Sequence, residues 1–219
     1  MTDTGWNATA DGRPMLRGYL HALAAPVAIA GLVLLMLLAE SARAYVGGAI
    51  FAVSLVLLYT TSAAYHRVTW SERLRPLMKR LDHSMIFVVI AGTYTPFCLA
   101  VDDAWGISML SVIWGLVGAG ILAKVFWPGA PRWLSVALYV SMGWLAVVAS
   151  APLSHWFALA PLALLALGGV LYTLGGVVYA ARRPSPFPRV FGYHEVFHAL
   201  VVAGSAVHFA LVAIYLMPA

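Results

Sequence analysis

Seven histidines occur in this 219-residue chain, and two of them, His194 and His198, stand four apart. On a helix that interval puts both imidazoles on one face, about 6 Å from each other, which suits two ligands on one metal ion. Ser62 and His66 have the same i, i+4 relation, and Asp82 stands beside His83. Three imidazoles from His66, His194 and His198 would leave the fourth position of a tetrahedral zinc site open to water, whose pKa zinc brings down to about 7. Asp82 could orient that water or take its proton. The one cysteine, Cys98, lies in an apolar run, so the ligands must be nitrogen and oxygen and no CxxC motif exists.

These residues sit in an unusually apolar chain, 63% hydrophobic and 10% charged, where a soluble domain carries about 25% charged residues. Its twelve prolines and nineteen glycines are tolerated in membrane helices. A bilayer core of about 30 Å needs roughly 20 apolar residues per helix. Seven stretches qualify: Tyr19–Ala39, Tyr45–Tyr65, Ser84–Val101, Trp105–Phe126, Trp133–Ala151, Trp156–Ala180 and Val196–Met217. The first is too long for a signal-peptide core and no A-x-A cleavage pattern follows it, so it reads as a retained span. The expectation is an all-α membrane protein, a seven-helix bundle over residues 19–217 preceded by a short cytoplasmic segment, 1–18.

Twelve of the thirteen lysines and arginines fall on one side of this arrangement. Arg13 and Arg17 precede span one, and Arg67, Arg73, Arg75, Lys79 and Arg80 follow span two. Lys124 and Arg132 flank the fourth loop, and Arg182, Arg183 and Arg189 lie before span seven. The opposite side has Arg43 with the acidic Asp102 and Asp103. Positive-inside bias therefore predicts a cytoplasmic N-terminus and an outside C-terminus in the inner (plasma) membrane. The 67–80 cluster reads as orientation plus contact with anionic lipid heads, not nucleic-acid binding. With this topology His66, Asp82, His83, His194 and His198 all reach one membrane level, where ionisable groups are costly and mark function.

Each residue also has a plain reading. Paired histidines can be hydrogen-bonded interfacial anchors, Asp82 can be the N-cap of span three, and Ser62 can be a packing hydroxyl. His83 reads as interface-facing, and His208, about 15 Å up the helix from His198, as a buried hydrogen-bonding residue. His21 and His155 are given no role. Residues 194–198 read HEVFH and fit the zincin pattern H-E-x-x-H, but Glu195 is the last acidic residue in the chain and the metzincin continuation is absent. Glu195 is left as a second proton carrier or a loop-facing charge.

Three blocks resemble the haemolysin III family, the bacterial branch of the progestin and adiponectin receptor superfamily. They are SAAYH at 62–66, LDHSMIFVVIAGTYTPF at 81–97 and HEVFHALVVAGSAVHF at 194–209, and the likeness covers roughly residues 15 to 217. The resemblance implies seven helices with a cytoplasmic N-terminus, zinc on His66, His194 and His198, Asp82 facing the zinc-bound water, and Ser62 nearby. The receptor branch can carry glutamine where Glu195 stands. In the GTYTP run, Pro96 should break the helical ladder, with Thr93 and Thr95 satisfying freed backbone groups. The superfamily includes alkaline ceramidases, so the leading expectation is a zinc-dependent hydrolase of lipid amides or esters, or a lipid-homeostasis protein, with membrane lipids as partners. The alternatives are a pore-forming cytolysin and a non-enzymatic sensor of membrane state.

Overall fold

The computed structural model describes residues 13–101, 103–127, 129–148 and 154–218. Its long elements are helices: α1 (Tyr19–Leu38), α2 (Ala42–Arg67), α3 (Leu74–Ala100), α4 (Ala104–Phe126), α5 (Arg132–Val148), α6 (Leu159–Ala181) and α7 (Tyr193–Leu211), the last extended by a π-helical turn, Val212–Leu216. Six of the seven are long and apolar enough to cross a membrane; α5 has 17 described residues. The expected end of span five, Ala151, lies outside the described residues.

Where these helices meet lipid, their large side chains point outward. Leu23, Val27 and Leu37 on α1 are 68%, 69% and 78% exposed, which water would penalise and hydrocarbon does not. Chain neighbours pack as α1–α2, α2–α3, α3–α4, α5–α6 and α6–α7, and α1 also meets α7. Ser41 and Asp103 cap α2 and α4 by accepting from Ala44 N at 3.1 Å and Gly106 N at 3.0 Å.

Helix α3 differs from its expected form. It starts at Leu74, ten residues before the apolar stretch, so Arg75, Lys79 and Arg80 are helical and Asp82 is an interior residue, not an N-cap. Pro96 leaves the carbonyl of Gly92 without its helical donor. Thr93 and Thr95 donate instead to Val89 O (2.8 Å) and Ala91 O (2.7 Å), bracketing the break one turn earlier.

The close approach of α2 to α3 is set at Gly47, where an added Cβ would lie 2.8 Å from Pro96 Cα. That atom is backbone and cannot rotate away. Gly47→Ala should therefore wedge the two helices apart and cost about 1–3 kcal/mol, the usual range for overpacking. Thermal unfolding in detergent would read this as a lowered Tm; an unchanged Tm would mean the contact is slack.

Candidate metal centre

His66 closes α2 and His194 opens α7, 128 positions away, yet their Nε2 atoms are 3.1 Å apart. The ring centroids of His66 and His194 are separated by 4.7 Å, those of His66 and His198 by 5.3 Å, and those of His194 and His198 by 4.5 Å. One ring nitrogen from each of the three lies within 4.8 Å of the others. Two nitrogens each about 2.0–2.1 Å from a shared zinc ion would stand about 3.3 Å apart. The donor set is thus chemically and dimensionally suited to a borderline-soft divalent ion, with the three nitrogens leaving one coordination position open.

Asp82 comes from the third turn of α3 and is buried; its Oδ2 is 4.0 Å from His66 Nε2. The hydroxyl of Ser62, 2% exposed, is directed at the Asp82 carboxyl. Both line a cavity of about 480 Å³ that continues past Val89, Thr93 and Phe97 toward Trp105 and Met109. The cavity is a polar site joined to an apolar slot.

His83 is not turned to the interface. It stands in the cavity wall, its ring 6.5 Å from that of Tyr179 and its carbonyl accepting from Tyr139 Oη at 3.1 Å. His208 is buried and bonds Leu165 O at 3.1 Å, and His155 is exposed.

Two residues enter the site that the sequence reading left aside. The ring of His21 lies flat on that of His198, centroids 3.8 Å apart and planes 6° off parallel. Span one starts from the same membrane level as spans three and seven, so depth alone pointed to His21 even though it has no histidine neighbour in sequence. Glu195 is not loop-facing. It is 1% exposed, its Oε1 accepts from Arg17 Nε at 2.5 Å and its Oε2 from Gly192 N at 2.8 Å. This carboxylate caps α7 and pins the segment before α1 over the site. Met15 N and Leu16 N add bonds to Arg189 O and Val190 O at 3.0 and 3.1 Å. At Gly18, with φ +81°, an added Cβ would meet His66 Cβ at 2.6 Å, so both the left-handed turn and the space require glycine.

Two variants test this shell. Removing the guanidinium while keeping the buried carboxylate should cost about 3–5 kcal/mol, so Arg17→Met should lower Tm sharply. Adding Glu195→Gln to it should recover much of the loss; a double variant no more stable than the single one would show that the pair does not couple. Both ring nitrogens of His21 are buried without a hydrogen-bond partner, at about 1–3 kcal/mol for each such group. His21→Phe, which keeps the stack, should hold or raise Tm, and a drop would reveal a partner for those nitrogens.

A family model described as haemolysin-III related matches residues 11–209. The chain is 36% identical over 199 residues to the hemolysin-3 homolog of Bacillus subtilis (strain 168), covering 89% of this chain and 90% of that one. It is 34% identical over 202 residues to hemolysin-3 of Bacillus cereus, covering 90% and 89%. It is also 32% identical over 185 residues to heptahelical transmembrane protein 5 of Arabidopsis thaliana, covering 76% of this chain and 47% of the plant protein. With the match running through all three histidine-bearing blocks on a bundle of apolar helices, the chain belongs to the haemolysin III-related family of integral membrane proteins.

Proposed function

We propose that this chain is a seven-span plasma-membrane hydrolase, N-terminus in the cytoplasm, that uses a zinc site on His66, His194 and His198 to cleave an amide or ester bond of a membrane lipid. The observation that carries the reading is the junction of three imidazoles and one carboxylate with an apolar cavity of about 480 Å³. A slot of that size accepts an acyl chain, and a lipid amide or ester carries its scissile carbonyl where a polar headgroup meets an apolar chain, which matches a polar site joined to an apolar slot. The seven-span topology takes support from a relative whose name is heptahelical and from α5, which lies where the fifth span is expected.

Zinc held there would supply Lewis acidity, polarising the carbonyl and making water a nucleophile near neutral pH. The chain's own groups do the rest. Asp82 takes a proton from the attacking water as oxygen bonds to the carbonyl carbon. It returns that proton to the departing nitrogen or oxygen when the C–N or C–O bond breaks, leaving a carboxylic acid and an amine or alcohol. Ser62 orients the Asp82 carboxyl. Glu195 takes no part, since both its oxygens are bonded.

The test is metal content and lipid turnover of the purified protein. His194→Ala should lose most bound zinc and all turnover. Asp82→Asn should keep the zinc and lose about 10²–10⁴-fold in rate, the usual worth of a positioned acid–base group. Full activity in Asp82→Asn would overturn the proton assignment. Liposome leakage indifferent to both substitutions, with no hydrolysis, would favour a cytolysin.

A further inference from the structure

The cavity wall beside Asp82 and His83 is also basic. Lys79 and Arg80 from α3, Lys124 from the last turn of α4, Arg132 at the start of α5 and Arg182 after α6 all line it. Four separate segments of the chain thus bring cations to one cavity. Positive-inside bias accounts for cations at this end of the bundle but lets them snorkel outward to water; these five do not all do so. The charges of Lys79, Lys124 and Arg132 all fall on His83, and Lys79 and Lys124 act on each other.

Their partners are neutral. Lys124 Nζ meets Ser135 Oγ and lies 5.7 Å from the centroid of the Tyr139 ring. The Arg132 guanidinium stands 4.8 Å over Tyr179, and its Nη1 is buried with no hydrogen-bond partner. Among the described residues no carboxylate pairs with any of the five. Arg132 also opens a helix, where the backbone dipole favours an anion and disfavours a cation. Like charges gathered beside an unsatisfied guanidinium N–H and a helix N-terminus are costly unless a negative group completes them.

We infer that this basic rim is an anion site that selects lipids with a net-negative, phosphate-bearing headgroup, held by Arg132 and Lys124 while the acyl chain fills the apolar part of the cavity. The inference rests on reading the cavity as a lipid site but needs neither the metal nor hydrolysis. It narrows the substrate class to anionic phospholipids.

Native mass spectrometry in detergent tests it, with phosphatidylglycerol and phosphatidylcholine of identical chains supplied in equal amounts. The wild type should retain phosphatidylglycerol about tenfold over phosphatidylcholine, as expected for two charge-assisted contacts. Arg132→Gln with Lys124→Gln should bring the ratio to near one, and Arg132→Lys with Lys124→Arg should keep most of it. The exposed pair Arg73→Gln with Arg183→Gln should leave it unchanged, separating the cavity from the general basic surface. His194→Ala should also leave it unchanged, so a failed hydrolase reading and a failed anion site give different results. Glycerol phosphate should not displace the lipid; full displacement would mean that the site takes free phosphate and the lipid claim is wrong. A preference that survives in the double Gln variant, or that vanishes in the exposed pair, overturns the inference.

Discussion

An imidazole nitrogen inside a bundle surrounded by lipid can find a partner only within the protein, because hydrocarbon offers none. His66, His194 and His198 meet that demand by converging on one another, with two Nε2 atoms 3.1 Å apart across 128 positions of chain. Between His66 and His194 one Nε2–H can serve the other's lone pair, which leaves the third ring unserved. A cation would satisfy all three lone pairs at once, and the position of the cluster follows from the same need for partners. Each histidine lies at or near the end of its helix, where the first or last turn can turn inward without leaving backbone groups unpaired in lipid.

Convergence of this kind depends on close helix contacts on one side and loose ones on the other. Gly47 lets α2 settle against Pro96, and His21 is laid on His198 by the segment that Arg17 anchors to Glu195. Helix α5 has its main contacts with α6 and much slighter ones with α3 and α4. The tight half orients the imidazoles and Asp82. The loose half leaves the cavity, whose wall is completed by Val136, Tyr139 and Val140 of α5. Rigid ligands and an open slot are therefore two results of one unequal packing.

Much of this was legible from residue types, and the limits have physical causes. The apolar stretches located the helices, and charge bias assigned His66, Asp82, His194 and His198 to one level before any coordinates. The start of α3 was misread because hydropathy ends where lipid ends, whereas a helix continues into the interface as long as its backbone bonds are satisfied. Arg75, Lys79 and Arg80 ride on that extension. The fate of Glu195 was hidden because its partner lies 178 positions away and is delivered by backbone pairing of Met15 and Leu16 with Arg189 and Val190. No periodicity announces such a strap. Nor does a sequence show a cavity, which is defined by the side chains that fail to fill it.

The HEVFH stretch shows how little a short motif settles without its surroundings. In a zincin the glutamate between the histidines faces the reacting water. Here the same spacing puts Glu195 on the opposite edge of the first turn of α7, where a guanidinium and a backbone N–H take both its oxygens. A carboxylate so engaged holds the cap of the helix that carries two of the three imidazoles. Asp82 arrives from a different helix, borders the cavity, and has Ser62 and His66 close by. Two acids at one depth are thus divided by their neighbours: one holds α7 and the strap in place, and the other is left open to whatever enters the slot. If the site turns over a substrate, the proton moves through α3 and not through the motif on α7.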